Sequence, residues 1–179
     1  TKVKVLEQRR AERGEPEYMS DIQWHFIGHL QTNKLKMVLP YVSLVQSVDS
    51  LRLLESIDSW GRMNDKVIDV LLEPHVAAEQ TKQGFEKDEI YEILADSRRF
   101  ANIRFRGIMG MATFTDDESV IRSDFSNLKD IRDAVIDNFP ALSDDFIELS
   151  IGMSDDYHIA MEYGSTMVRI GSMIFGSRA

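Results

Sequence analysis

The sequence predicts an α/β fold with parallel strands, on three observations. Six short apolar or β-branched runs recur along the 179 residues. The segments between them repeat apolar residues at helical spacing. The composition is that of an ordinary globular chain, 43% hydrophobic and 28% charged, and long enough to bury a full core as a single domain over residues 1–179.

The elements follow in chain order. The chain opens on Thr1 without a methionine, and Thr1–Arg10 reads as part of a charged helix, so the natural start is expected upstream. The first strand run is Ile22–Ile27. The second, Val42–Val48, leads into a helix with Leu51, Leu54 and Ile57 on one face. The third, Val67–Leu72, precedes a helix marked by Ile90, Ile93 and Leu94. After the fourth, Ile103–Met109, comes the longest helical period, through Ile121, Phe125, Leu128 and Val135. The fifth, Phe146–Ile151, feeds a helix opening at Ser154-Asp155-Asp156 and closing at Gly164, which suits the left-handed position after a helix end. The sixth is Met167–Ile170. Such alternation implies parallel strands joined by right-handed crossovers. An open doubly wound sheet and a closed barrel both satisfy it. Six strands favour the open sheet; a barrel needs eight, and becomes equally good if one or two βα units are missing upstream.

Composition excludes several function classes. The net charge of −9 and a pI of about 4.9 argue against nonspecific binding to nucleic acid or an anionic membrane. A phosphate remains compatible, because backbone N–H groups hold it locally. With no cysteine, disulfides, thiolate nucleophiles and cysteine-based metal centres are excluded, and a cytoplasmic setting is consistent. No apolar run approaches the ~20 residues that span a bilayer. His25 and His29 have i, i+4 spacing, but across a strand end and its turn rather than a helix, so no metal site is expected. His158 reads as solvated, and Asp116-Asp117-Glu118 and Asp144-Asp145 read as helix starts and solvated loops.

The chemistry concentrates near the end of the chain. A strand ends at Ile151, Gly152 lets the backbone turn, and Ser154 sits at or near a helix N-terminus with its unpaired N–H groups. A second strand ends in Arg169 and is followed by Gly171-Ser172. Two such turns side by side would make a phosphate cradle. In (β/α) barrels that cradle lies after the last two strands. Bland alternatives exist for each residue: a plain helix cap for Ser154, turn glycines for Gly152 and Gly171, a surface ion pair for Arg169.

Taken together, four ordered blocks resemble one family. They are Leu149-Ser150-Ile151-Gly152-Met153-Ser154-Asp155-Asp156 with Gly164-Ser165-Thr166-Met167-Val168-Arg169-Ile170-Gly171 and Ile174-Phe175-Gly176; Trp24-His25-Phe26-Ile27-Gly28-His29-Leu30-Gln31-Thr32-Asn33-Lys34; Gln46-Ser47-Val48-Asp49-Ser50; and Arg106-Gly107-Ile108-Met109. The pattern is similar to that of the pyridoxal phosphate homeostasis family. The resemblance implies a (β/α)8 TIM-type barrel like the N-terminal domain of alanine racemase, with the six strands as its third to eighth and the first βα units missing. It implies pyridoxal 5'-phosphate as cofactor, held as a lysine imine without a known reaction. That lysine belongs on the first strand and is expected upstream of Thr1.

By position, the resemblance makes Ser154 the phosphate-binding serine and places Gly171 and Ser172 where backbone amides meet the phosphate. Arg169 falls near the pyridine nitrogen, where a permanently charged guanidinium keeps that nitrogen unprotonated and weakens the ring as an electron sink. Met109 closes a strand facing the cofactor. His75 stands with Pro74 where the family commonly has Val and Asn, and is assigned to the ring side of the site; Lys82 matches a block lysine near the mouth. The implied role is vitamin B6 homeostasis in the cytoplasm, with pyridoxal 5'-phosphate-dependent apo-enzymes as recipients, in a monomer or weak dimer. A racemase-like enzyme is the alternative; racemisation needs two bases on opposite faces of the substrate, and the second belongs to a domain beyond this barrel. A scaffold for protein contacts is the third.

Overall fold

The computed structural model describes residues 22–76 and 84–176. Lys2, Lys4, Lys82 and the helix expected over Thr1–Arg10 lie outside the described residues.

All six predicted strands form, and all pair in parallel. They are β1 (His25–Phe26), β2 (Leu44–Val48), β3 (Ile68–Leu72), β4 (Ile103–Met109), β5 (Glu148–Met153) and β6 (Met167–Arg169). Their order in the sheet is their order in sequence. That decides between the two architectures. A doubly wound sheet reverses its strand order at a switch point, whereas this one steps in a single direction, as a barrel wall does. The helices are α1 (Leu35–Val38), α2 (Leu51–Met63), α3 (Lys87–Ala95), α4 (Glu118–Asn138), α5 (Tyr157–Glu162) and α6 (Ser172–Phe175).

The main core lies between the helices and one face of the sheet. Val45, Val48, Val70, Leu72, Phe105, Ile108, Leu149 and Ile151 meet Leu54, Ile57, Ile90, Leu94, Phe125, Leu128 and Val135. Each fully buried side chain of this size contributes about 1.5–3 kcal/mol. One predicted face needs correction. Leu51 is exposed, while Leu53 and Trp60 join Leu54 and Ile57 in the core. Leu51 opens α2 directly after Ser50, whose hydroxyl accepts the Leu53 N–H, so it precedes the stripe that faces the sheet.

On the opposite face, Leu44, Leu71 and Met109 form a second, small buried cluster with Met167 beside it. Alternation along each strand divides the two faces, as in β3, where Leu71 points to one and Leu72 to the other. Register shifts keep that division. Val45 pairs with Val70 but Val48 with Leu72, so β2 carries one extra residue and both valines reach the helix side. A similar shift in β4 lies next to Gly107, whose φ is +150°. A Cβ there would stand 1.9 Å from the Glu148 carbonyl oxygen.

No helix among the described residues is long and apolar enough to cross a membrane.

Candidate functional site

The strands' carboxyl ends and the turns after them gather the polar residues. The turn after β5 runs from Met153 into α5. Here Ser154 is not the helix cap that its sequence position suggests. Asp156 takes that place, and its carboxylate accepts the Met153 N–H at 2.5 Å. This local bond holds residues 153–156 as a turn and delays the helix to Tyr157. Ser154 is thereby free to face the next turn. Its hydroxyl oxygen accepts the Gly171 N–H at 3.2 Å, so the two final strand-to-helix turns do meet. Gly164 closes α5 as predicted, with φ +76°. Its N–H donates to Met161 O, and the Ser165 N–H to Ala160 O, the paired bonds of a left-handed helix end.

Gly171 precedes α6, and a Cβ on it would meet nothing within 4 Å. The first N–H groups of any helix lack intrahelical acceptors; those of Ser172 and Met173 occupy that position at the start of α6. This edge is exposed and holds donors, which matches the chemistry of a phosphate group.

Arg169 points into the sheet's inner face rather than to a surface ion pair. One guanidinium nitrogen donates to Ser150 O at 2.7 Å and Ser150 Oγ at 2.9 Å; the other donates to Gly110 O at 2.8 Å. Burial draws its pKa below the ordinary arginine value, against the pull of Glu73 and Asp156. The guanidinium stays charged across the working range. Met109 is only 2% exposed in the small cluster on the same face of the sheet. The backbone N–H of His75 donates to Phe85 O, beside an isolated bridge between Pro74 and Phe85.

Several residues that sequence patterns quoted without a role join the site. Gln46 and Ser150 are 3% and 0% exposed and joined at 2.6 Å, and Gln46 also reaches His25 at 2.9 Å. Their signal was a polar residue inside an otherwise apolar strand. At the mouth, the Asp49 carboxylate lies 3.0 Å from His29 Nδ1 and accepts the Ser50 hydroxyl. Burial, then repulsion from Asp49, push the Glu73 carboxyl above its ordinary range, while Arg169 and His29 pull it down. Among the described residues no group of three or more His, Cys, Asp or Glu side chains could hold a metal ion.

Comparison with known proteins gives the family and the fold. Residues 16–179 match the family described as alanine racemase, N-terminal domain. The pyridoxal phosphate homeostasis protein of Aquifex aeolicus is 35% identical over 158 residues, 88% of this chain and 68% of that protein. The human protein of the same name is 38% identical over 167 residues, 88% of this chain and 59% of that one. The chain thus spans between 59% and 68% of the length of these two curated relatives. The solved structure of PipY from Synechococcus elongatus without pyridoxal phosphate superposes with a TM-score of 0.83 at 25% identity, covering 97% of this chain and 79% of PipY. PipY with pyridoxal phosphate bound shares the fold, with a TM-score of 0.82 at 24% identity, covering 97% and 78%.

Proposed function

The chain belongs to the pyridoxal phosphate homeostasis family, and on that premise we propose that it binds pyridoxal 5'-phosphate and serves to hold and release it rather than to transform it. The curated relatives are named as homeostasis proteins and not as enzymes. The observation that carries the proposal is the contact between the last two turns, the Gly171 N–H on Ser154 Oγ at 3.2 Å, with Arg169 set inside the sheet behind them.

In this reading Ser154, Gly171 and Ser172 receive the phosphate through hydroxyls and backbone N–H groups. Arg169 presents its cation to the ring nitrogen, Met109 supports the floor, and His75 borders the ring side. The cofactor, when bound, would supply a reactive aldehyde, and the chain's own residues would hold and orient it. Glu73, Asp49 and His29 line the mouth. The six strands are six consecutive staves of an eight-stranded barrel, with residues 1–179 belonging to that one domain. The first two βα units and the imine-forming lysine lie in the remaining part of the barrel. Among the described residues every lysine, from Lys34 to Lys129, stands on a helix or loop and none on a strand. The protein works in the cytoplasm as a monomer or weak dimer, with apo-enzymes as recipients.

Equilibrium dialysis of the chain against pyridoxal 5'-phosphate and against pyridoxal tests the proposal. Retention of the first over the second supports a phosphate grip, and equal retention of both refutes it.

A further inference from the structure

The inner face of the sheet contains a hydrogen-bonded chain that crosses from one edge strand to the other. It starts at Arg169 on β6, passes through Ser150 on β5 and Gln46 on β2, and ends at His25 on β1. Its direction is set by chemistry. A guanidinium only donates, so Ser150 Oγ accepts from Arg169 at 2.9 Å. The serine proton then goes to Gln46 Oε1 at 2.6 Å. That fixes the amide with its NH2 toward His25 Nδ1 at 2.9 Å and toward Met167 Sδ at 3.7 Å. His25 Nδ1 must therefore be the bare nitrogen, and the ring is neutral with its proton on Nε2.

We propose that Gln46 and His25 are positioning residues for Arg169, and that charging His25 turns over the Gln46 amide and disturbs the Ser150 hydroxyl contact of the guanidinium, while its bonds to Ser150 O and Gly110 O remain. This rests on the cofactor reading above and adds a pH-sensitive control to it. A protonated His25 turns Nδ1 into a donor facing the donor NH2 of Gln46. The bond survives only if the amide turns over. Its NH2 then faces Ser150, whose hydroxyl proton loses the Gln46 acceptor. Ser150 is fully buried, so water does not replace that acceptor. Among the described residues His25 is exposed. Among the described residues, the charged group bearing on it is Glu148 from β5, while β2 presents the neutral Gln46. Desolvation outweighs the pull of Glu148 and holds His25 below the ordinary histidine value, consistent with a neutral ring at neutral pH.

The test compares retention of pyridoxal 5'-phosphate by the whole chain and by His25→Asn from neutral pH down to the acid side of the ordinary histidine value, since burial lowers the His25 pKa. Asparagine keeps an acceptor at the same place and cannot charge. Titration of the cofactor itself is common to both proteins. The expected result is that the wild type loses about tenfold more retention than the variant as pH falls, the effect of one hydrogen bond to a charged group. Superimposable pH profiles overturn the proposal. A second arm needs no cofactor. Long-range proton–nitrogen NMR of the unliganded chain should show His25 as a single tautomer with Nε2 protonated, and Ser150→Ala should abolish that single state. A proton on Nδ1, or a His25 signal indifferent to Ser150→Ala, overturns it as well. Absence of any retention at neutral pH would sink the cofactor reading alone, since the NMR arm still decides the chain.

Discussion

Replacing Ser154 by alanine separates a binding role from a structural one. In the folded chain its hydroxyl accepts a single bond, the Gly171 N–H at 3.2 Å, at an exposed edge. Water replaces such a partner readily, so the stability cost is below about 0.5 kcal/mol, the size of an ordinary surface substitution. For a domain of this size that lowers Tm by under about 2 °C. The cost to cofactor retention is larger. A hydroxyl bonded to a phosphate is a charge-assisted contact, and its loss weakens retention by roughly 1–2 kcal/mol, about five- to thirtyfold. Calorimetric melting and equilibrium dialysis on the same preparation measure both. A large fall in Tm with unchanged retention would make Ser154 a structural tie between two turns and refute the argument.

Three further outcomes are expected. Gly107→Ala should lose at least about 2–3 kcal/mol in urea denaturation, because φ is +150° and the new Cβ meets backbone of β5 at 1.9 Å; a loss under about 1 kcal/mol would show that the register shift relaxes. Glu73 has a folded pKa raised above 4.5, chiefly by burial. Its contribution to stability is therefore full below pH 4.5 and lost as pH rises through the folded value, leaving an ionised carboxylate that burdens the neutral fold. Glu73→Gln should stabilise the chain at pH 7 by denaturant midpoint, with the gain vanishing near pH 4; a gain that grows in acid contradicts the assignment. Borohydride treatment after incubation with the cofactor should fix no label on Lys34, Lys36, Lys66, Lys87 or Lys129, none of which stands on a strand; peptide mapping that finds one of them labelled would relocate the site.

Much of the fold was legible because its signals are local. Each strand is an apolar run, each long helix repeats apolar residues at three and four, and Gly164 sits where a left-handed helix end requires it. The placement of Ser154 and Gly171 after strand ends and of Arg169 as the last residue of β6 was legible for a related reason, since strand ends lead into turns that collect donors. What escaped depends on partners distant in sequence. The bond between Gln46 and Ser150 spans 104 positions, and each residue alone is an unremarkable polar side chain in a strand. The register shifts at Val45–Val48 and Val70–Leu71 exist only relative to neighbouring strands. Ser154 is not the helix cap because Asp156, tied back to the Met153 N–H, holds the preceding turn and takes the N-cap position of α5. Leu51 matched the helical period but lies in the first turn, before the helix has settled on the sheet.

The most direct test is an amide NMR map of the chain titrated with pyridoxal 5'-phosphate and, separately, with pyridoxal. The phosphate-bearing compound should move the Ser154, Gly171, Ser172 and Met173 amides, and pyridoxal should leave them in place. Shifts centred instead on the hollow lined by Phe26, Leu30, Lys34 and Val38, with the two final turns unmoved, would contradict the account.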